Sequence, residues 1–262
     1  MMDTTTPTAT PHGLRPLTVM VLAALWIATI GNLALWRALA ALPELGNARG
    51  LLFGLAFALM IGAVQVALSA LFAWRWTLKP ALALMLLSAA AGAYFMLSYG
   101  VVIERTMMVN VLLTDTREAR ELLSWRMAGA LAVLGLLPVA LLWRARVAWP
   151  SGRRQLRSNA LTLVAALALA VVAMGLSFQD LSATMRNHTQ LRYLINPLNS
   201  FYAIATLGNQ PIQRNGAAVL PIGQDAHLTP LPAGAKPPLV LLVVGETARA
   251  DHQGLNGYAR DT

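Results

Sequence analysis

Five stretches of this chain carry no charged residue over a length that can cross a bilayer. The first runs from Leu17 to Trp36. The others lie between Arg49 and Arg75, Lys79 and Glu104, Arg126 and Arg144, and Arg157 and Asp180. At 1.5 Å of rise per residue, about 20 helical residues cross the hydrocarbon core, and the fourth run only just suffices. The pattern predicts five transmembrane helices. Ala38-Leu39-Ala40 resembles a signal-peptidase site. The apolar run before it, however, exceeds the roughly 7–15 residues of a secretory core, and more spans follow, so an uncleaved first span is expected. Ahead of it, residues 1–16 form a Thr/Pro-rich polar tail of the kind that stays disordered.

The pattern changes after the fifth span. Residues 181–207 mix Arg186, His188, Arg192 and Tyr193 with apolar positions, which predicts an amphipathic helix on the outer membrane interface, interrupted at Asn196-Pro197. Gly208 to Pro238 is rich in Gly and Pro without periodicity and reads as a linker between domains. Leu239 to Val244 is then a short run of branched apolar residues without polar alternation, the signature of a strand buried on both faces of a parallel sheet. The expected architecture is an α-helical membrane domain with five transmembrane helices (17–180), an interfacial helix and linker (181–238), and the first strand of an α/β domain (239–262).

Composition supports the membrane half. Of 262 residues, 57% are hydrophobic and 12% charged, against about 25% charged in soluble domains. The net charge of +9 would suggest nucleic acid in a soluble protein. No clustered basic-aromatic pattern supports that, and in a membrane protein basic loops set orientation and meet anionic headgroups. No nucleic-acid partner is expected. The absence of cysteine excludes thiolate metal sites and Cys nucleophiles in this sequence.

Loop charges give the orientation. Arg15, Arg75 with Lys79, and Arg144, Arg146, Arg153, Arg154 and Arg157 fall on one side; Glu44, Glu104, Asp115, Glu118 and Glu121 fall on the other, mixed with arginines. The positive-inside rule puts the first set and the amino terminus in the cytoplasm. The carboxyl terminus then lies outside, in the periplasm of a Gram-negative cell, with the spans in the inner membrane.

Candidate chemistry sits at two places. Asn110, Thr114 and Glu118 are spaced i, i+4, i+8, so a continuous helix would align them on one face, able to hold a lipid headgroup with Glu118 answering an ammonium. The competing reading makes Asp115 an N-cap and Glu118 its N3 partner, starting the helix that leads into span four. The second place is Glu246, just beyond the carboxyl end of the predicted strand, where open α/β sheets place ligands and a carboxylate can bind a metal. On its own it could equally cap a helix or pair with Arg249. Thr247 reads as a helix cap. His188, without a second ligand at helical spacing, reads as a surface contact, and Asp251 and His252 read as loop residues.

The string Val244-Gly-Glu-Thr-Ala-Arg-Ala-Asp-His252, followed by Leu255-Asn-Gly-Tyr-Ala-Arg-Asp-Thr262, closely resembles the opening of the catalytic domain in lipid A phosphoethanolamine transferases, a family that includes the mobile colistin-resistance enzymes. Asn110-x3-Thr114-x3-Glu118 and Arg192-Tyr-Leu-Ile-Asn-Pro197 also look like family segments. The resemblance implies five spans followed by a periplasmic domain of the alkaline phosphatase/sulfatase fold. It implies that Glu246 is a zinc ligand and that Asn110, Thr114 and Glu118 contact phosphatidylethanolamine. It further implies a zinc-activated threonine that takes phosphoethanolamine from that lipid and passes it to a lipid A phosphate. In the family the nucleophilic threonine and the remaining ligands come later than residue 262. The 262-residue chain is therefore expected to be a truncated piece of a longer enzyme, inactive on its own. The rival class is a non-enzymatic membrane anchor or scaffold. A transporter is disfavoured, because the spans hold only mild polar groups such as Asn32, Gln65 and Ser69.

Overall fold

The computed structural model describes residues 13–114 and 116–209, with a few scattered positions beyond them. The chain divides into two units, Met1–Gln213 and Arg214–Thr262. The predicted linker falls largely outside the described residues, and so does Glu246. Of the predicted strand only Leu241 is described; it is exposed and in no strand.

Five helices are long and apolar enough to span a membrane: α1 (Pro16–Ala40), α2 (Ala48–Leu71), α3 (Leu78–Tyr99), α6 (Trp125–Arg144) and α7 (Gly152–Leu176). Two short helices, α4 (Arg105–Leu113) and α5 (Thr116–Leu122), fill the loop between α3 and α6. After α7 come α8 (Phe178–Asn187), a 3-10 stretch (Thr189–Leu194) and α9 (Leu198–Asn209). The five spans match the five predicted runs. Helix α7 starts six residues before the uncharged stretch, with Gln155 and Asn159 buried in its first turns.

The helix ends follow from local chemistry. Asn47 caps α2 by accepting from the Gly50 amide at 2.9 Å, and Ser124 caps α6 by accepting from Met127 at 3.2 Å. Gly100, with φ of 65°, closes α3 in the left-handed conformation that costs glycine nothing. The cap of span four is therefore Ser124. A helix does begin directly after Asp115, at Thr116, but α5 stops at Leu122 and a separate helix begins at Trp125, so that helix does not continue into the span.

Helix α2 packs on α7 and α1, and α3 on α6. Two apolar clusters result. One, at the arginine-rich end, gathers Met20, Ile27, Leu78, Leu82 and Leu142. The other, at the opposite end, gathers Leu35, Phe57, Ile61, Met96 and Leu191, with Phe53 and Phe57 stacked at 5.6 Å.

Two spans are interrupted, and at each interruption side-chain donors reach freed carbonyls. Helix α1 breaks at Ile30–Asn32. There Asn32 Nδ2 donates to the Ile27 carbonyl at 2.8 Å and Trp36 Nε1 to that of Ala28 at 2.7 Å. Helix α6 widens into a π turn at Ala132–Leu136. Pro138 lacks the N–H that would bond the Leu134 carbonyl, and Trp26 Nε1 donates to that carbonyl at 3.1 Å. Hydrocarbon offers no water to satisfy these groups, so a broken span needs such donors.

The segment after α7 breaks at Asn196-Pro197, as expected, just before α9. The break is buried: the chain carries Asn196 to zero exposure between α1 and α3. Its Nδ2 donates to the carbonyls of Gly31 at 2.9 Å and Ala89 at 2.6 Å. Its backbone N–H donates to Asn32 Oδ1 at 2.8 Å, and its carbonyl accepts from Asn32 Nδ2 at 2.7 Å. Ala89 lies ten residues, about 15 Å, before the end of α3 at Tyr99. The segment therefore dips well below the helix ends, where the amide pair supplies what a proline-interrupted backbone lacks.

Candidate functional site

The polar residues of the outer loop converge where α4 meets α9. A cavity of about 280 Å³ there is lined by Glu104, Arg105, Thr106, Tyr193, Tyr202 and Thr206. A second, of about 370 Å³, shares Tyr193 and Tyr202 with it and adds Arg192 and Asn199. Glu104 precedes α4 in extended backbone and accepts from the Thr106 hydroxyl at 2.7 Å through one carboxylate oxygen. Arg105 opens the helix, and its Nε is buried with no hydrogen-bond partner. On the facing wall, Asn199 Nδ2 holds the Tyr193 carbonyl at 2.6 Å, and the Arg192 guanidinium stacks 4.8 Å above the Tyr193 ring. A carboxylate and an unspent guanidinium side by side match a zwitterion: the guanidinium suits a phosphate and the carboxylate an ammonium.

Two of the sequence-derived site residues lie at the other end of α4. Thr114 follows the helix in extended backbone, its hydroxyl donating to the Asn110 carbonyl at 2.7 Å. The Asn110 side chain is exposed. The helix stops at Leu113 and a new one starts at Thr116, so Asn110, Thr114 and Glu118 do not form one row on a continuous helix. The Glu118 side chain lies outside what the structure describes. Sequence reasoning missed Glu104, Arg105, Tyr202 and Thr206 as lining residues. Their only signal was polarity at a span end, which loops share.

His188 ends α8, and no group of three His, Asp or Glu among the described residues could hold a metal. The zinc expectation rests on Glu246, which the structure does not describe.

The family model for phosphoethanolamine transferase EptA/EptB matches residues 59–212, more than half of the chain. The chain belongs to this family. The matched region takes in α3 to α9, the cavity between α4 and α9, and Asn110, Thr114 and Glu118; Glu246 lies beyond it. Phosphatidylethanolamine transferase Mcr-2 of Escherichia coli is 34% identical over 253 residues, covering 96% of this chain and 47% of its own length. Mcr-1 of the same species is 31% identical with the same coverage. Phosphoethanolamine transferase EptA of Escherichia coli K12 is 32% identical, covering 93% of this chain and 45% of its own. The chain thus spans about half the length of the curated relatives it matches. In fold it is similar to the integral membrane lipooligosaccharide phosphoethanolamine transferase A of Neisseria meningitidis. That match has a TM-score of 0.74 at 23% identity and covers 93% of this chain and 45% of that one.

Proposed function

We propose that this chain forms the membrane half of a phosphoethanolamine transferase that draws phosphoethanolamine from phosphatidylethanolamine and delivers it to lipid A or another lipopolysaccharide group. The family match across residues 59–212 carries this reading. Helix α4 is the donor seat. Arg105 takes the phosphate, while the carboxylates of Glu104 and Glu118 answer the ammonium. Asn110 and Thr114 border the headgroup from the far end of the helix. Holding the donor at the bilayer surface supplies proximity for a transfer between two lipids. The chemical step falls to a threonine and a zinc ion that the family resemblance puts after the described residues, with Glu246 as one zinc ligand. Zinc, when bound, would lower the pKa of that hydroxyl. The outer loop and the carboxyl-terminal unit face the periplasm in this reading, and the arginine-rich loops face the cytoplasm.

The test is lipid retention by the purified chain, read by native mass spectrometry from bicelles of mixed phosphatidylethanolamine and phosphatidylcholine. Wild type retains phosphatidylethanolamine in preference. Arg105→Gln and Glu118→Gln each lower that occupancy about tenfold, the ~1.4 kcal/mol of one charged contact. Equal retention of the two lipids by wild type, or unchanged occupancy in both variants, would overturn the assignment.

A further inference from the structure

The opposite end of the bundle carries a third cavity, apart from the proposed donor seat. It measures about 450 Å³ and lies where the α2–α3 turn meets the α6–α7 connection, with Arg75, Lys79, Arg144 and Arg146 among its lining residues. No acidic residue occurs from Leu45 to Ile103 or from Leu122 to Gln179, so both loops that form it are free of carboxylates. Among the described residues none of these four cations makes an ion pair.

The cavity is built rather than incidental. Lys79 Nζ donates to the carbonyls of Trp143 at 3.0 Å and Ala145 at 2.8 Å, closing the end of α6 and keeping one N–H in reserve. The Leu14 amide donates to the Arg146 carbonyl at 2.8 Å, and the Ala148 amide to the Leu14 carbonyl at 3.0 Å, pinning the loop to the start of α1. Arg75 stacks 5.6 Å over Trp76, while Trp143 and Trp149 complete the walls. Orientation by the positive-inside rule requires arginines in these loops, but neither tryptophan walls nor a fixed loop.

An apolar groove of about 540 Å³ between α1 and α6 is lined by Leu22, Trp26, Pro138 and Leu141, with Ala145 among its other lining residues. Ala145 lines the basic cavity as well. A cationic pocket with tryptophan walls that shares a lining residue with an apolar groove has the two-part form of one ligand. We infer that this end holds a diacyl anionic phospholipid of the phosphatidylglycerol type, its phosphate among Arg75, Arg144 and Arg146 and one acyl chain along α1 and α6. Guanidinium groups fit the phosphate oxygens bidentately, and the indoles sit at headgroup depth. The site is separate from the α4–α9 cavity and stands or falls independently of the transferase reading.

The experiment is native mass spectrometry of the full chain released from nanodiscs of equal phosphatidylglycerol and phosphatidylethanolamine. Glycerol 3-phosphate is added in a second arm. Wild type keeps phosphatidylglycerol at least tenfold over phosphatidylethanolamine through delipidation at this site, and millimolar glycerol 3-phosphate does not displace it. Arg144→Gln/Arg146→Gln, which leaves Arg15, Arg75, Lys79, Arg153, Arg154 and Arg157 to hold the orientation, abolishes the preference. Ala145→Phe, which crowds the residue that lines both cavity and groove without changing charge, lowers retention at least fivefold. The inference is overturned if the arginine double variant keeps the wild-type preference. It is also overturned if glycerol 3-phosphate competes fully, which would make the pocket a free-phosphate site.

Discussion

Replacing Asn32 by alanine should loosen the whole segment that follows the fifth span. The substitution deletes three hydrogen bonds, from Asn32 Nδ2 to the Ile27 and Asn196 carbonyls and from the Asn196 amide to Oδ1. It strands the Asn196 N–H and C=O at zero exposure. Each buried unpaired group costs about 1–3 kcal/mol, and side-chain bonds between membrane helices average about 0.6 kcal/mol, so the loss should be about 2–5 kcal/mol. Asn196→Ala should cost less, about 1–2 kcal/mol, because it also removes an Oδ1 that has no partner. Gly92 tests the geometry independently. A Cβ at that position would fall 2.5 Å from Asn196 Oδ1, so Gly92→Ala must displace the asparagine. In an Asn196→Ala background the obstruction is gone, and the cost of Gly92→Ala should fall by about 1 kcal/mol or more, within the range of contacting pairs. The assay is detergent-titrated unfolding of purified variants, with amide exchange over residues 188–209. The reasoning fails if Asn32→Ala costs under about 1 kcal/mol with unchanged exchange, or if Gly92→Ala costs the same in both backgrounds.

Gln65 is fully buried in α2 with neither side-chain polar atom paired, so Gln65→Leu should raise the unfolding free energy by about 1 kcal/mol; a loss of stability would reveal a partner. Trp26→Phe should cost about 1 kcal/mol by taking the donor from the Leu134 carbonyl, and less in a Pro138→Ala background, where a backbone N–H returns. Arg49 and Asp180 pair at 3.0 Å, but the arginine side chain is 64% exposed, so Arg49→Ala should cost under about 1 kcal/mol and the cost should shrink further in high salt.

The spans were legible in the sequence because lipid imposes length and charge rules that a single run satisfies alone. The arginine bias likewise marked one end of the bundle. What sequence could not show depended on long-range partners. Asn32 read as a mild polar group inside a span, yet its partner is 164 positions away. Asn196-Pro197 read as a simple break on a surface helix, whereas the buried amide pair draws it between α1 and α3. The row Asn110, Thr114, Glu118 assumed an unbroken helix, and the break at Thr114 lay in backbone conformation rather than in residue type. The cavity beside Arg105 needed α9 to return against α4, a contact about 100 residues apart in sequence that no local spacing encodes.

Donors inside the bundle separate structural polarity from functional polarity. At every interruption described above, a carbonyl loses its helical partner and a side chain replaces it. Asn32 serves Ile27, Trp36 serves Ala28, Trp26 serves Leu134, and Lys79 serves Trp143 and Ala145. Gln155 and Asn159 similarly share the Ala73 carbonyl at 2.9 and 2.8 Å. Apart from the third N–H of Lys79, these groups are consumed by the fold. Among the described residues two buried side-chain donors remain unspent, Gln65 Nε2 and Arg105 Nε. The first is a neutral amide within a span. The second is a cation at a helix start beside a polar cavity, with a carboxylate as its neighbour. A buried guanidinium N–H without a partner is costly, and an anionic ligand oxygen is the group that would repay it. That asymmetry, more than the polarity of any one residue, is what supports Arg105 as the proposed seat of the donor phosphate.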